Sequence, residues 1–160
     1  MRIIQVRGTA IASKLIEWQT WGEWSHSALL FSDNVVIESR ELHWSNVRCC
    51  LTSGVHCMTL TAWLSDNPDV QYRIFEVKTT WEQEAAIRLF ASAQDGKPYD
   101  YWGIARFIAR DYTDDYGDKW FCSELVFESF LVAAIVLLAR IRGPKVPPSM
   151  ITTSPLVLDL

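Results

Sequence analysis

Cys122 and His26 are the residues in this chain whose types and placement point most directly to chemistry. A cysteine acts as a nucleophile through its thiolate, so it needs a base within reach and a setting that favours the anion. Cys122 opens the run Cys122-Ser123-Glu124-Leu125-Val126, which reads as the first turn of the strongest helix in the chain. The start of a helix carries roughly half a positive charge, which stabilises a thiolate. The backbone N–H groups of that turn have no partner inside the helix and can donate to a developing oxyanion. The plain alternative is a small core residue, since free cysteines are often buried. His26 lies in Ser25-His26-Ser27-Ala28-Leu29-Leu30-Phe31, which reads as a strand. A neutral imidazole near the thiol would be its general base, and a hydrogen-bonded structural histidine is the alternative.

An imidazole that works as a base needs a third group to orient it. Ser32-Asp33-Asn34 is a turn signal, and Val35 to Ser39 is the returning strand of a β-hairpin. A three-residue loop sets Phe31 opposite Val35 and His26 opposite Arg40. Glu38 then lies on the face of His26, diagonally adjacent and about 7–8 Å away at the backbone, a gap a glutamate can bridge. A two-residue Asp33-Asn34 loop shifts the register by one and places Ser39, Glu41 and His43 on that face instead. Both registers are compatible with the residues, and a surface carboxylate is the ordinary reading of any single glutamate.

Cys49, Cys50, His56 and Cys57 raise the question of zinc, but adjacent pairs lack the two-residue spacer that turns two ligands onto one metal. No metal or cofactor is expected. His43 reads as an exposed loop residue. Tyr99, Tyr101 and Trp102 follow a Gly96-Lys97-Pro98 turn and either wall a cleft or pack beneath the long helix.

The elements that must position these groups come from the pattern of apolar residues. Arg2 to Val6 reads as an opening strand, and Ala10 to Thr20 as a short amphipathic helix with Ile11, Leu15 and Trp18 on one side. A looser region spans Arg40 to Leu51, and Val55 to Leu60 is a further short strand. Asn67-Pro68-Asp69 is a turn, and Val70 to Lys78 alternates strongly as a strand. Thr80 caps a helix with Glu82 and Glu84 in its first turn, running to about Gln94. Asp111 to Lys119 reads as an acidic surface loop. The last helix spans about Cys122 to Arg142, where Gly143-Pro144 stops it and an irregular tail over 143–160 follows. Helix, strands, then helices predict an α+β fold with an antiparallel sheet, in a single domain over 1–160.

Composition sets the outer bounds. The chain has 160 residues, 49% hydrophobic and 21% charged, enough to bury a core without disulfides or metal. Eight Trp and seven Phe assign large aromatic surfaces to the core or to pocket walls. A net charge of -4 with no Lys/Arg run argues against a nucleic-acid binder. The apolar run Phe130 to Ala139 is too short for a bilayer, which needs roughly 20 residues, so a buried helix is expected. Met1-Arg2-Ile3-Ile4-Gln5 lacks the marks of a secretory signal. Reduced thiols and a cytoplasmic or phage-associated location are the expectation.

Four segments together resemble a known family. They are Trp24 to Leu30, Val36-Ile37-Glu38-Ser39, Gly96-Lys97-Pro98-Tyr99-Asp100-Tyr101 and Trp120-Phe121-Cys122-Ser123-Glu124-Leu125-Val126. They look like the circularly permuted NlpC-type papain-like proteins, in the YiiX/YebB-like branch, with the lecithin:retinol acyltransferase group more distant. Permutation puts the histidine before the cysteine, as here, and the resemblance covers roughly residues 2 to 130. It implies Cys122 as nucleophile, His26 as base and Glu38 as the polar third residue, and so favours the three-residue hairpin loop. It also implies an antiparallel sheet packed against a Cys-bearing helix. Relatives often carry a Gly-Asp pair near the N-terminus, where this chain has Arg7-Gly8-Thr9.

The expected activity is a cysteine hydrolase of peptide or amide bonds, acting through an acyl-thioester, with cell-wall-type peptides among the substrates the resemblance implies. Two readings compete with it. A lipid acyltransferase or thioesterase uses the same chemistry with another acceptor or bond. A non-catalytic binding or structural protein uses the fold without the reaction.

Overall fold

The computed structural model describes residues 1–8, 22–102, 118–139, 141 and 146–160. The helix expected over Ala10 to Thr20 and most of the acidic loop expected over Asp111 to Lys119 lie outside these residues. Six described strands form one antiparallel sheet. They are β1 (Arg2–Arg7), β2 (His26–Leu30), β3 (Val35–Ser45), β4 (Cys50–Thr59), β5 (Gln71–Val77) and β6 (Val157–Asp159), in the order β4-β3-β2-β1-β5-β6. Four described helices are α1 (Leu60–Asp66), α2 (Trp81–Ser92), α3 (Cys122–Val132) and α4 (Pro148–Ile151).

The central strands are buried on both faces, and alternation divides their side chains between two cores. Ile3, Leu29 and Ile37 occupy matched positions on β1, β2 and β3 and pack with Leu125, Val126 and Phe130 of α3 and Ile87 of α2. Ile4, Ala28, Leu30 and Val36 point the other way and pack with Trp63 of α1. Thr80 caps α2 through a reciprocal pair: its hydroxyl accepts from the Gln83 N–H at 3.3 Å, and its own N–H donates to Gln83 Oε1 at 3.0 Å.

Four expectations need correction. The region from Arg40 to Leu51 is not loose: β3 continues through Ser45 and β4 begins at Cys50, with a register shift between Arg40 and His43. His43 is thus a half-buried strand residue. Helix α1 was unforeseen; Thr59 caps it by accepting from the Ala62 N–H at 3.2 Å. Helix α3 is shorter than its apolar run. Ala134 takes a left-handed conformation (φ 57°), and the Ile135 N–H reaches back to the Phe130 carbonyl at 3.0 Å while the Ala134 N–H reaches Leu131 at 2.9 Å. That is a Schellman turn, and it returns Ile135 and Leu137 to the core that the helix itself packs on. The C-terminal stretch is also not wholly irregular: α4 follows Pro147, and β6 pairs with β5 from Phe75 to Val77.

Candidate active site

The β2–β3 hairpin turns through three residues. The Phe31 N–H donates to the Val35 carbonyl at 2.9 Å, the Asn34 N–H donates back to Phe31 at 3.0 Å, and Asn34 is left-handed (φ 62°). Asparagine tolerates that conformation better than most residues. The ladder pairs Leu29 with Ile37 and Leu30 with Val36, the register that sets His26 opposite Arg40. Those are the two pairs that join β2 to β3, so the strands part before His26. The side chains bridge where the backbones do not: His26 Nε2 lies 2.7 Å from Glu38 Oε2.

Glu38 is buried, 1% exposed, and is held from a second direction. The Trp63 indole N–H donates to the same Oε2 at 2.9 Å. Arg40 Nη1 stands 3.9 Å from the other oxygen, Oε1. Trp63 escaped the reading of the sequence. The signal was present in Thr59 as a cap before Leu60, Trp63 and Leu64 at helical spacing, but seven residues are too few for periodicity to stand out.

Cys122 is the first residue of α3, and it is buried beside Tyr99 and Phe121. Several bonds fix this mouth of the helix. Ser39 Oγ donates to the Trp120 carbonyl at 2.7 Å, tying it to β3. The Trp120 N–H donates to Pro98 at 3.1 Å, and its indole donates to Gln94 Oε1 at 3.1 Å. The Phe121 N–H donates to Glu124 Oε2 at 3.3 Å, so a side chain from within the first turn satisfies a backbone group just ahead of it. The loop before Tyr99 docks on β4 at Gly54, which has φ 97°. A Cβ there would stand 2.2 Å from the Lys97 carbonyl oxygen, so only glycine permits the approach.

The Cys122 side chain is within hydrogen-bonding reach of the His26 ring. With Nε2 on Glu38, Nδ1 is the nitrogen left for the sulfur. The electrostatics follow from that sandwich. Burial alone would lower the His26 pKa, but the charges of Cys122 and Glu38 and their hydrogen bonds outweigh it and raise it from 6.5 to about 10. Burial would raise Glu38, yet His26, Arg40 and the Trp63 N–H bring it down from 4.5 to about 2. Burial, then the charge of Cys122, pushes Tyr99 well above the usual phenol range, so it stays a neutral O–H donor. The arrangement suits an imidazolium steadied by a carboxylate and set beside the Cys122 sulfur.

The other residues with chemical potential stay apart from this group. Cys49, Cys50 and Cys57 are exposed free thiols. Tyr101 braces β3, its hydroxyl accepting from the Leu42 N–H at 2.7 Å, and Trp102 is exposed. Among the described residues no group of three or more His, Cys, Asp or Glu side chains is placed to hold a metal ion. Among them, too, no helix is long and apolar enough to cross a membrane.

No curated protein matches this chain. The fold is similar to the crystal structure of the metalloprotein yiiX from Escherichia coli O157:H7, with a TM-score of 0.66 and 17% identity over 99% of this chain and 94% of that one. The sequence model of the permuted papain-like amidase enzymes, YaeF/YiiX, C92 family, matches residues 3–142. With most of its length accounted for in this way, the chain belongs to the permuted papain-like amidases and is a cysteine hydrolase of papain-like fold.

Proposed function

We propose that this protein hydrolyses a peptide or amide bond with Cys122 as nucleophile, His26 as proton carrier and Glu38 as the group that orients and charges His26. The observation that carries the reading is the His26 ring lying between the Cys122 side chain and the buried Glu38 carboxylate. The Cys122 thiolate attacks the carbonyl carbon, and the Cys122 N–H at the helix start stabilises the oxyanion. His26 gives its proton to the leaving nitrogen as the C–N bond breaks, which leaves a thioester on the sulfur. Neutral His26 then takes a proton from water, the hydroxide attacks the thioester, and the carboxylic acid leaves as the thiolate reforms. An imidazolium already charged in the resting state favours amides, since an amine must be protonated to depart. Peptides of the cell-wall type are one substrate class for such a site.

The test is a screen of peptide, amide and acyl-ester libraries with the wild type and Cys122→Ser. Amine release by the wild type that Cys122→Ser lacks supports the reading. Equal hydrolysis by both proteins overturns it, and turnover confined to lipid esters or to transfer onto a non-water acceptor replaces it with the acyltransferase.

A further inference from the structure

We infer that Trp63 is a positioning residue for the proposed triad: its indole N–H holds Glu38 Oε2 on His26, which leaves Oε1 3.9 Å from Arg40 Nη1, too far for a hydrogen bond. The inference rests on the role proposed above for Glu38. A carboxylate has two equivalent oxygens and rotates easily about its last bond. At Glu38 the two donors that bond it, His26 Nε2 at 2.7 Å and Trp63 Nε1 at 2.9 Å, meet on Oε2. Oε1 is buried with no hydrogen-bond partner, and so is Arg40 Nη1, which stands 3.9 Å from it. A free carboxylate would turn to satisfy that guanidinium, because a charged hydrogen bond inside a protein is stronger than a long contact. Here Arg40 Nη1 is left unsatisfied, and the indole bond to Oε2 explains why.

Trp63 is built to hold such a line. Its residue is fully buried, so its N–H needs an acceptor and its ring has no room to swing. Asn67 Nδ2 donates to the Trp63 carbonyl at 2.7 Å, and the Tyr72 ring stands edge-on to the indole at 5.5 Å between centroids. Helix α1 is itself tied to the hairpin that bears His26 and Glu38: the Leu60 N–H donates at 2.7 Å to the carbonyl of Asn34, the left-handed turn residue. The donor and the group it steers therefore move as one unit. The charged or titratable neighbours of Glu38 are His26 with Cys122 beyond it, Arg40, His56 opposite Glu38 in the β3–β4 ladder, and His43 further along β3.

The experiment compares the wild type with Trp63→Phe and with a variant carrying β-(3-benzothienyl)alanine at position 63, which keeps the shape of tryptophan but replaces N–H by sulfur. Two readouts serve: the 15N shifts of the His26 ring against pH, and the rate of Cys122 alkylation by iodoacetamide against pH. Loss of one hydrogen bond to a charged group predicts alkylation roughly ten-fold slower at neutral pH in both variants. His26 should also lose its proton at lower pH, with melting of the sulfur variant unchanged. In a Glu38→Gln background the position-63 change should add nothing, because its effect passes through the carboxylate. A sulfur variant matching the wild type in both profiles overturns this inference alone, provided Glu38→Gln slows alkylation. If Glu38→Gln changes neither readout, the proposed triad falls and this inference with it.

Discussion

Two histidines flank Glu38 from opposite sides, and the same carboxylate leaves them in opposite states. His26 on β2 is bonded to it at 2.7 Å, and against the effect of burial the charge of Cys122 and then that of Glu38 push it up to about 10. His56 on β4 is the direct ladder partner of Glu38, yet its pKa falls: burial, then the charges of Arg48 and His43, outweigh the pull of Glu38. Arg48 Nη1 reaches His56 Nδ1 at 3.5 Å, a contact that suits a neutral ring accepting from the guanidinium. His43 is lowered likewise, by burial and then by Arg40. A nearby carboxylate is therefore not enough to charge an imidazole. What decides the state is a second negative partner, Cys122, and a directed bond on one side, and burial with the nearby cations on the other. The β2 side is arranged to hold a proton, and the β4 side to exclude one.

That contrast can be broken at its strongest point first. Cys122→Ala should abolish amide hydrolysis, a loss of roughly a thousand-fold or more, measured as amine release from a responsive peptide. Residual turnover within ten-fold of the wild type would remove the thiol from the reaction. Glu38→Gln should cost roughly a hundred-fold, since it keeps the shape but withdraws one of the two charges, with that of Cys122, that raise the His26 pKa. Gly54→Ala tests whether β4 contributes position in place of protons. Its left-handed backbone and the 2.2 Å approach to Lys97 predict about 2–4 kcal/mol of lost stability in urea unfolding. Unchanged stability would mean that the loop leading to Tyr99 does not need that docking.

A smaller effect is the pH dependence of the pair. His26 has a folded pKa above its ordinary value, so its contribution to stability is full below 6.5 and is lost as pH rises through about 10. Glu38 has a folded pKa below its ordinary value, so its contribution is full above 4.5 and is lost as pH falls through about 2. The stability difference between wild type and His26→Gln should be flat from 4.5 to 6.5 and shrink on either side, as read from urea midpoints. A difference that grows above pH 6.5 would contradict the charged ring. The smallest expected effect completes the contrast: His56→Gln should change hydrolysis by less than about two-fold, in keeping with a histidine that stays neutral and apart from the sulfur.

The parts of this molecule that were legible in its sequence are those governed by neighbours along the chain. Ser32-Asp33-Asn34 announced a hairpin with two open registers, one of which the ladder adopts, and Thr80 with Glu82 and Glu84 announced a helix. Cys122 could be put at a helix mouth because its surroundings are apolar and uninterrupted. The missing parts depend on partners far away. The extension of β3 carries Leu42 and Trp44 exposed among polar residues, so it shows no clean alternation and holds together by pairing with β4. The end of α3 carries no glycine or proline, and the turn at Ala134 becomes visible only when Ile135 and Leu137 are seen returning to the core. Strand β6 is three residues whose structure comes from β5. Trp63 was hidden for the same reason: its meaning lies in where a seven-residue helix lands.

The Ser39–Trp120 bond has a bearing on when this chain acquires its chemistry. The contacts of Glu38 with His26 and Trp63 close loops of 12 and 25 residues. The sulfur reaches the imidazole only across roughly a hundred residues, and closing that loop has a larger entropic cost. On the proposed roles, a ribosome therefore delivers His26, Glu38 and Trp63 well before Cys122. Until the helix mouth is latched to β3, His26 and Glu38 have no sulfur beside them, and a partly made or partly unfolded chain lacks the proposed triad.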